Sequence, residues 1–468
     1  MIDTKMENDR TILAPHFNRD DGKVLGAFSR ERYAISEKLF ALLVPVMNEV
    51  HGLSFSHRFW KIVLNAHVNA VISIKHVLSD KKLDDSPLLL PINSHHLPTS
   101  KQRLIARLPS LVKHFKAPLN LRKIHEVLGA GDNFNIDFPE IEAVREDTGL
   151  PLPLYYSIYP GRGNQVLREK VNSIAARQAD VYLYNVIRRL PKLYVEYFSR
   201  DYDSIRLINP TAKRFHVHGL PPYFSSLLVA KYIEHGSKLY CYQHGAYYGE
   251  LVGHNSYLTE NSLADEFRTW GWKIKSNDVP WKAYRLEDFR LKYEKYSRTR
   301  QYDFLMCYPD VNASTIGFYK GGTDYFLKNI SRTKYKNLLA RPRPMHKMFS
   351  HADRISFIKD QRVTIDSGMD PMAEVVSKCR LVVQFTIPAT NFMECLYVDH
   401  PTMGLLDNDQ PTEQIKPYYD YLIEQGVIHR DFVSLVNHLN SIDVDVWWNR
   451  LIKEPRYLEF KNTFLRKA

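Results

Sequence analysis

Residues 238–250 read KLYCYQHGAYYGE. The run Lys238–Tyr242 predicts a strand that passes directly into Gln243-His244-Gly245. A strand ending in a histidine beside a glycine puts a polar group at its carboxyl end. In open α/β sheets, ligands bind beyond that end. The glycines let backbone approach a ligand closely. Just upstream, Arg214–Val217 (RFHV) predicts a short strand, and Pro222–Glu234 a helix with Leu227, Leu228 and Tyr232 on its apolar face. Strand, helix and strand with short connections predict a parallel sheet.

A second series of the same kind follows. Tyr302–Tyr308, Arg362–Ile365, Arg380–Phe385 and Pro401–Leu405 predict strands, and Asn337–Ala340 leads into Arg341-Pro342-Arg343-Pro344. Helices are predicted to begin at Thr323–Ile330 and to cover Pro371–Lys378, with Asp370 as N-cap, and Thr390–Tyr397. This is the order of an open doubly wound domain. Residues 273–300 are charged and tyrosine-rich, which suits a linker or an exposed helix. The tail, Val444–Ala468, predicts a helix anchored by Trp447 and Trp448.

The first third differs. Leu39, Leu42, Leu43, Val46 and Met47 recur at helical spacing within Ser29–Asn48, with Pro45 expected to kink or shorten that helix. Gly52 separates it from a second helix over Ser56–Ser79, and Val166–Arg200 predicts one or two more. The run Leu88–Ile92 suits an edge strand despite Pro91. The organisation expected is an N-terminal α/β domain over 1–272 with a helical first part, a linker over 273–300, a second, Rossmann-like domain over 301–440 and a C-terminal helix over 441–468 packing back on the first domain.

The chain's 468 residues are long enough for two or three domains, each with its own core. The four cysteines, Cys241, Cys307, Cys379 and Cys395, lie far apart with no CxxC pair, which predicts reduced core thiols and a reducing compartment. Residues 1–22 lack the apolar core of a secretory signal, and no run reaches the ~18–20 apolar residues of a membrane span. A cytoplasmic location is expected, with the inner face of the membrane as a peripheral contact. The formal charge of +12 is spread along the chain. It forms no basic block, and no nucleic-acid-binding signature accompanies it, so an anionic donor is the expected partner and nucleic acid is not. His95-His96, or His216 with His218, match no complete metal motif, and loop or core roles are expected for them. P-loop and GxSxG motifs are absent.

Three strand ends could carry chemistry. His244 could act as acid or base, and Glu250 as base or nucleophile. Glu260 and Asp265 are further carboxylates to weigh. Arg341 and Arg343, stiffened by Pro342 and Pro344, suit phosphate oxygens. Thr386-Ile387-Pro388-Ala389-Thr390 opens a helix whose free N–H groups form an anion site, with Glu394 one turn on within reach of ribose hydroxyls. Each segment also has a plain structural reading: a tight turn, an exposed basic loop, a capped helix.

Taken together, these motifs resemble a known family. QHGAYYGE, then Glu260, Asp265 and Thr269-Trp270-Gly271-Trp272, resembles the QHG…YG…TWGW block of transferases allied with bacterial surface-polysaccharide biosynthesis. His51–Leu64 (HGLSFSHRFWKIVL), the Thr386–Glu394 element and the segments Pro401–Leu406 and Lys416–His429 are similar to further stretches of that family. The resemblance implies a GT-B-like enzyme of O-antigen or capsule assembly, with two Rossmann-type domains facing a cleft. It implies distant similarity to transferases that use CMP-activated 3-deoxy-ulosonic acids. It further implies a nucleotide-sugar donor as substrate, a glycan or lipid-linked acceptor, no cofactor and no required metal. Arg343-Pro344 and Thr386–Thr390 are the positions matching that nucleotide site. Gln243, Gly245, Tyr248, Trp270 and Trp272 are the expected substrate contacts, the tryptophans stacking on a sugar face or packing between domains. Ala246 stands where the family usually has a second glycine, and Arg343 replaces the histidine of its His-Pro pair. A CDP-polyol phosphotransferase and a non-catalytic assembly factor with a degenerate nucleotide site are the alternatives.

Overall fold

The computed structural model describes residues 19–73, 164–206, 210, 213–217, 219, 223–296, 300–309, 316–343, 355–406 and 411–466. Leu88–Ile92, His95, His96, His218 and Pro344 lie outside them. In chain order the first elements are α1 (Arg19–His51), α2 (His57–Ser73), α3 (Gln165–Ala175), α4 (Val181–Arg188), α5 (Lys192–Val195) and α6 (Phe198–Arg206). Then come β1 (Arg214–Val217), α7 (Tyr223–Glu234), β2 (Lys238–Tyr242), α8 (Asn255–Leu263), β3 (Glu266–Thr269), β4 (Asp278–Pro280) and α9 (Tyr284–Tyr293). The second series is β5 (Tyr302–Cys307), α10 (Ile316–Asn329), β6 (Leu338–Arg341), β7 (Val363–Ile365), α11 (Met372–Ser377), β8 (Cys379–Ile387), α12 (Thr390–Tyr397), β9 (Thr402–Leu406), α13 (Lys416–Glu424) and β10 (Ile428–His429). The chain ends in α14 (Phe432–Ser441), α15 (Val444–Leu451) and α16 (Pro455–Phe464).

The strands form two sheets, ordered β1-β2-β3-β4 and β10-β9-β8-β5-β6-β7. Strand β1 pairs parallel with β2, and every neighbouring pair in the larger sheet is parallel. The larger order reverses direction at β5 and β8, as the doubly wound expectation requires. Its central strands have apolar middles, as strands with helices on both faces do. Phe304, Leu305, Met306, Leu381, Val382 and Val383 are all fully buried.

The chain separates into two compact units. One takes Glu31–Tyr242 with Leu258–Phe267, and the other takes Gln243–Tyr257 with the chain from Arg268 onward. Residues 243–257 and 268–272 therefore group with the second half of the chain.

Several expectations are corrected. Pro45 lies inside α1 and does not end it; that helix runs on to His51, where Gly52 turns the chain at φ +64°. Residues 164–206 hold four helices, because Asp180 caps α4 and Pro191 starts α5. The supposed linker 273–300 contains β4 and α9, whose buried stripe is Leu286, Phe289 and Tyr293. Helix α10 begins at Ile316, seven residues before Thr323; its glycines hide it, yet Gly322 packs so closely on Phe432 that a Cβ would lie 2.2 Å from the ring. The N-cap of α11 is Pro371, without a side-chain cap, and not Asp370. The tail forms two helices, and it docks both on Trp270, whose carbonyl accepts from Arg466 N, and on Asp399, held by Lys461.

Candidate functional site

The turn after β2 is built around one buried amide. The Gln243 Oε1 accepts from Trp270 N at 2.9 Å and Trp272 Nε1 at 2.8 Å, while its carbonyl accepts from Trp270 Nε1 at 3.1 Å. Its Nε2 donates to Gly245 O at 2.9 Å, closing the turn. Gly249, at φ +72°, lies under Trp272, and a Cβ there would meet the indole at 2.3 Å. Trp270 and Trp272 are 2% and 1% exposed, so neither ring face is open to a sugar. The expected stacking role gives way to packing, because Gln243 and both indoles satisfy one another.

This knot presents His244. Its ring lies 4.9 Å from that of Tyr248, whose hydroxyl is 3.2 Å from Nδ1. Behind it, His254 stacks on Tyr247 and meets the edge of Tyr248. Burial, with the neighbouring His244, pushes His254 down to about 4, so its ring is neutral near pH 7. The His244 carbonyl accepts from Arg285 Nη1 at 2.9 Å.

The start of α12 reaches the same place. Strand β8 changes register between Gln384 and Ile387, and Ile387-Pro388 is cis. Ala389 then opens α12 without a side-chain cap. The Ala246 N–H donates to Thr390 Oγ1 at 3.3 Å, and a Cβ on Gly245 would lie 3.6 Å from that hydroxyl. Glu394, 8% exposed, lies 3.6 Å from Arg285 Nε through Oε1. Thr386 Oγ1 is hydrogen-bonded to Tyr319 at the start of α10. Within one unit, then, the structure gathers His244, Gly245, Tyr248, Thr390, Glu394 and Arg285. The sequence reading missed Arg285, although the Leu286–Phe289–Tyr293 spacing marks its helix.

The other expected residues fall elsewhere. Glu250 is 2% exposed and accepts from Tyr419 Oη at 2.6 Å. Burial raises its carboxyl well above the usual range, against the pull of Tyr419. Glu260 and Asp265 belong to the other unit. Asp265 takes Arg58 at 2.7 Å and the Leu239 N–H at 2.7 Å; burial raises its pKa, but these partners outweigh it and hold it low. It ties α2 to the first sheet. Arg341, 4% exposed, pairs with Asp366 and donates to the carbonyls of Gly368 and Asp370. It is thereby committed to the loop after β7, a correction to its expected phosphate role. Arg343 is exposed just past β6.

The cysteines are free and buried. Burial pushes Cys307 up to about 12. Among the described residues, no group of three or more His, Cys, Asp or Glu side chains is placed to hold a metal ion, and no helix is long and apolar enough to cross a membrane.

The parallel sheets and the sequence together define an α/β transferase. Residues 161–468 match the model of the LIC12162 family transferase, and the chain belongs to that family. No curated protein matches it. Among solved structures, it is similar to a protein assigned as a UDP-N-acetylglucosamine 2-epimerase from Listeria monocytogenes, at 11% identity, 58% of this chain, 75% of that one and a TM-score of 0.38. It is also similar to a variant of the wall teichoic acid polymerase TagF soaked with CDPG, at 10% identity, 55% of this chain, 68% of that one and a TM-score of 0.34.

Proposed function

We propose that the chain transfers a sugar from a nucleotide-activated donor, with the nucleotide seated where α12 begins and His244 serving the reacting end. The observation that carries this reading is the convergence of the His244 turn, Thr390 and Glu394 in one polar cluster at the ends of β2 and β8. An α-helix start offers unpaired N–H groups and a positive dipole end, which suit the phosphate that departs. Arg343 adds charge from the end of β6. Glu394 accepts from ribose hydroxyls, and His244, steadied by Tyr248, moves the proton.

On the residues shared with surface-polysaccharide transferases, we assign a CMP-linked 3-deoxy-ulosonic acid as donor and a glycan or lipid-linked acceptor in O-antigen or capsule assembly. The reaction is read as independent of a divalent ion, with enzyme and donor in the cytoplasm at the inner face of the membrane.

The test is a thermal-shift and titration screen of CMP, CDP, UDP and GDP, followed by transfer assays with a CMP-linked donor in the presence of EDTA. CMP is expected to raise the melting temperature, since a ligand of the folded state stabilises it by mass action. His244→Asn should cut turnover by roughly 10²–10⁴-fold, the usual contribution of a general acid or base, with CMP affinity little changed. A chain that binds none of these nucleotides would overturn the proposal.

A further inference from the structure

We infer that Arg285 is a positioning residue that joins the histidine turn to the ribose-binding carboxylate, so that the chain reads the sugar hydroxyls of its nucleotide only while this arginine holds both. The inference rests on the function proposed above.

Arg285 is the second residue of α9. That helix is fixed at its start, where Ala283 N donates to Arg466 O at 3.1 Å, and along its length by the buried stripe of Leu286, Phe289 and Tyr293. It is docked on α12 at two places. Glu287 accepts from Tyr397 Oη at 2.8 Å, and Arg285 faces Glu394 at 3.6 Å. Residues 394 and 397 are three apart, on one face of α12, as two contacts with a single neighbouring helix require. The guanidinium therefore has a fixed origin.

From that origin it meets two elements that the sequence places far apart, His244 through a carbonyl and Glu394 through charge. A rigid planar fork can serve both at once, which a point-charge ammonium does less well. Without it, Glu394 loses the charge that faces it, and the His244 carbonyl loses a donor on α9. The arginine acts through these two groups and needs no contact of its own with the nucleotide.

The experiment compares binding of CMP and 2′,3′-dideoxycytidine monophosphate to the full chain by calorimetry, in wild type, Arg285→Met, Arg285→Lys, Glu394→Gln and the Arg285→Met/Glu394→Gln double variant. Wild type should prefer CMP by about 10–100-fold, the worth of one or two hydrogen bonds to a charged group. Arg285→Met should bring the preference within about threefold, as should Glu394→Gln, with the double variant no worse than either; that non-additivity marks residues acting as a unit. Arg285→Lys should fall between, and it carries the test alone if the methionine variant does not fold. Equal loss of affinity for both nucleotides with the preference intact would show a brace or a direct phosphate contact, and would sink this inference while leaving the proposed function standing. If wild type binds CMP but shows no preference, the ribose reading of Glu394 and this inference fail together. Failure of wild type to bind any ribonucleotide tested would sink both the inference and the proposed function.

Discussion

Single residues in this chain divide between holding and acting, and Glu250 shows how the two are told apart. A carboxylate after a QHG turn reads naturally as a base. Its burial and its bond from Tyr419 mark it as a packing group. Glu250→Gln keeps an acceptor for Tyr419, so stability should change by less than ~1 kcal/mol and turnover by only a few-fold. Tyr419→Phe leaves the carboxyl without that donor and should cost about 1–3 kcal/mol in a denaturant titration. A hundredfold loss of turnover in a folded Glu250→Gln variant would return Glu250 to the chemistry. Gly249 is a stricter case. Alanine there needs a left-handed backbone and overlaps Trp272, so Gly249→Ala should lower stability by roughly 1–3 kcal/mol from overpacking alone, read as a fall in melting temperature. The type of residue was legible in sequence at these positions, but not the partner. Nothing in QHGAYYGE announces a tyrosine at 419 or an indole at 272.

At the scale of elements, sequence patterns worked where one face is apolar and a strand is buried on both sides. Strand β8 reads as a strand through its apolar centre, Leu381–Val383, and α12 follows at the expected residues. The same reading fails where charge or glycine masks the pattern. Helix α9 carries Arg285, Glu287, Asp288, Arg290 and Lys292 around its three buried residues, so its composition looks like a linker. Caps are a local feature that can be tested. Asp443 opens α15 by accepting from the N–H groups of Asp445 and Val446. Asp443→Ala should cost about 1 kcal/mol, the usual worth of an N-cap, measured by chemical denaturation. Asp443→Asn should recover most of it, since the capping oxygen remains.

For the whole molecule, buried histidines set the response to acid. Burial lowers His67 to about 3; burial lowers His254, with His244, and His429, with His438, to about 4. In the unfolded chain each takes up its proton near pH 6.5. The unfolded state therefore binds more protons between pH 6.5 and 4, and stability falls as pH drops through that window. The full stability is present above pH 6.5. At pH 5 each of the three should have cost roughly 2 kcal/mol. Urea titrations at pH 7.5 and 5 check the slope, and His254→Gln should reduce it; an unchanged slope in that variant would show that His254 titrates normally. Because His67 lies in one compact unit and His254 and His429 in the other, acid should weaken both units.

The second unit is stitched from stretches of chain that are not contiguous, and this bears on how the polypeptide emerges from the ribosome. Gln243 leaves the exit tunnel before Trp270 and Trp272, and the carbonyl that Ala283 donates to belongs to Arg466, far later in the chain. That unit stays open until Arg466 has emerged. A clone started at residue 268 would bury two indole N–H groups and one amide with nothing to receive them, and should yield insoluble protein where the full sequence does not.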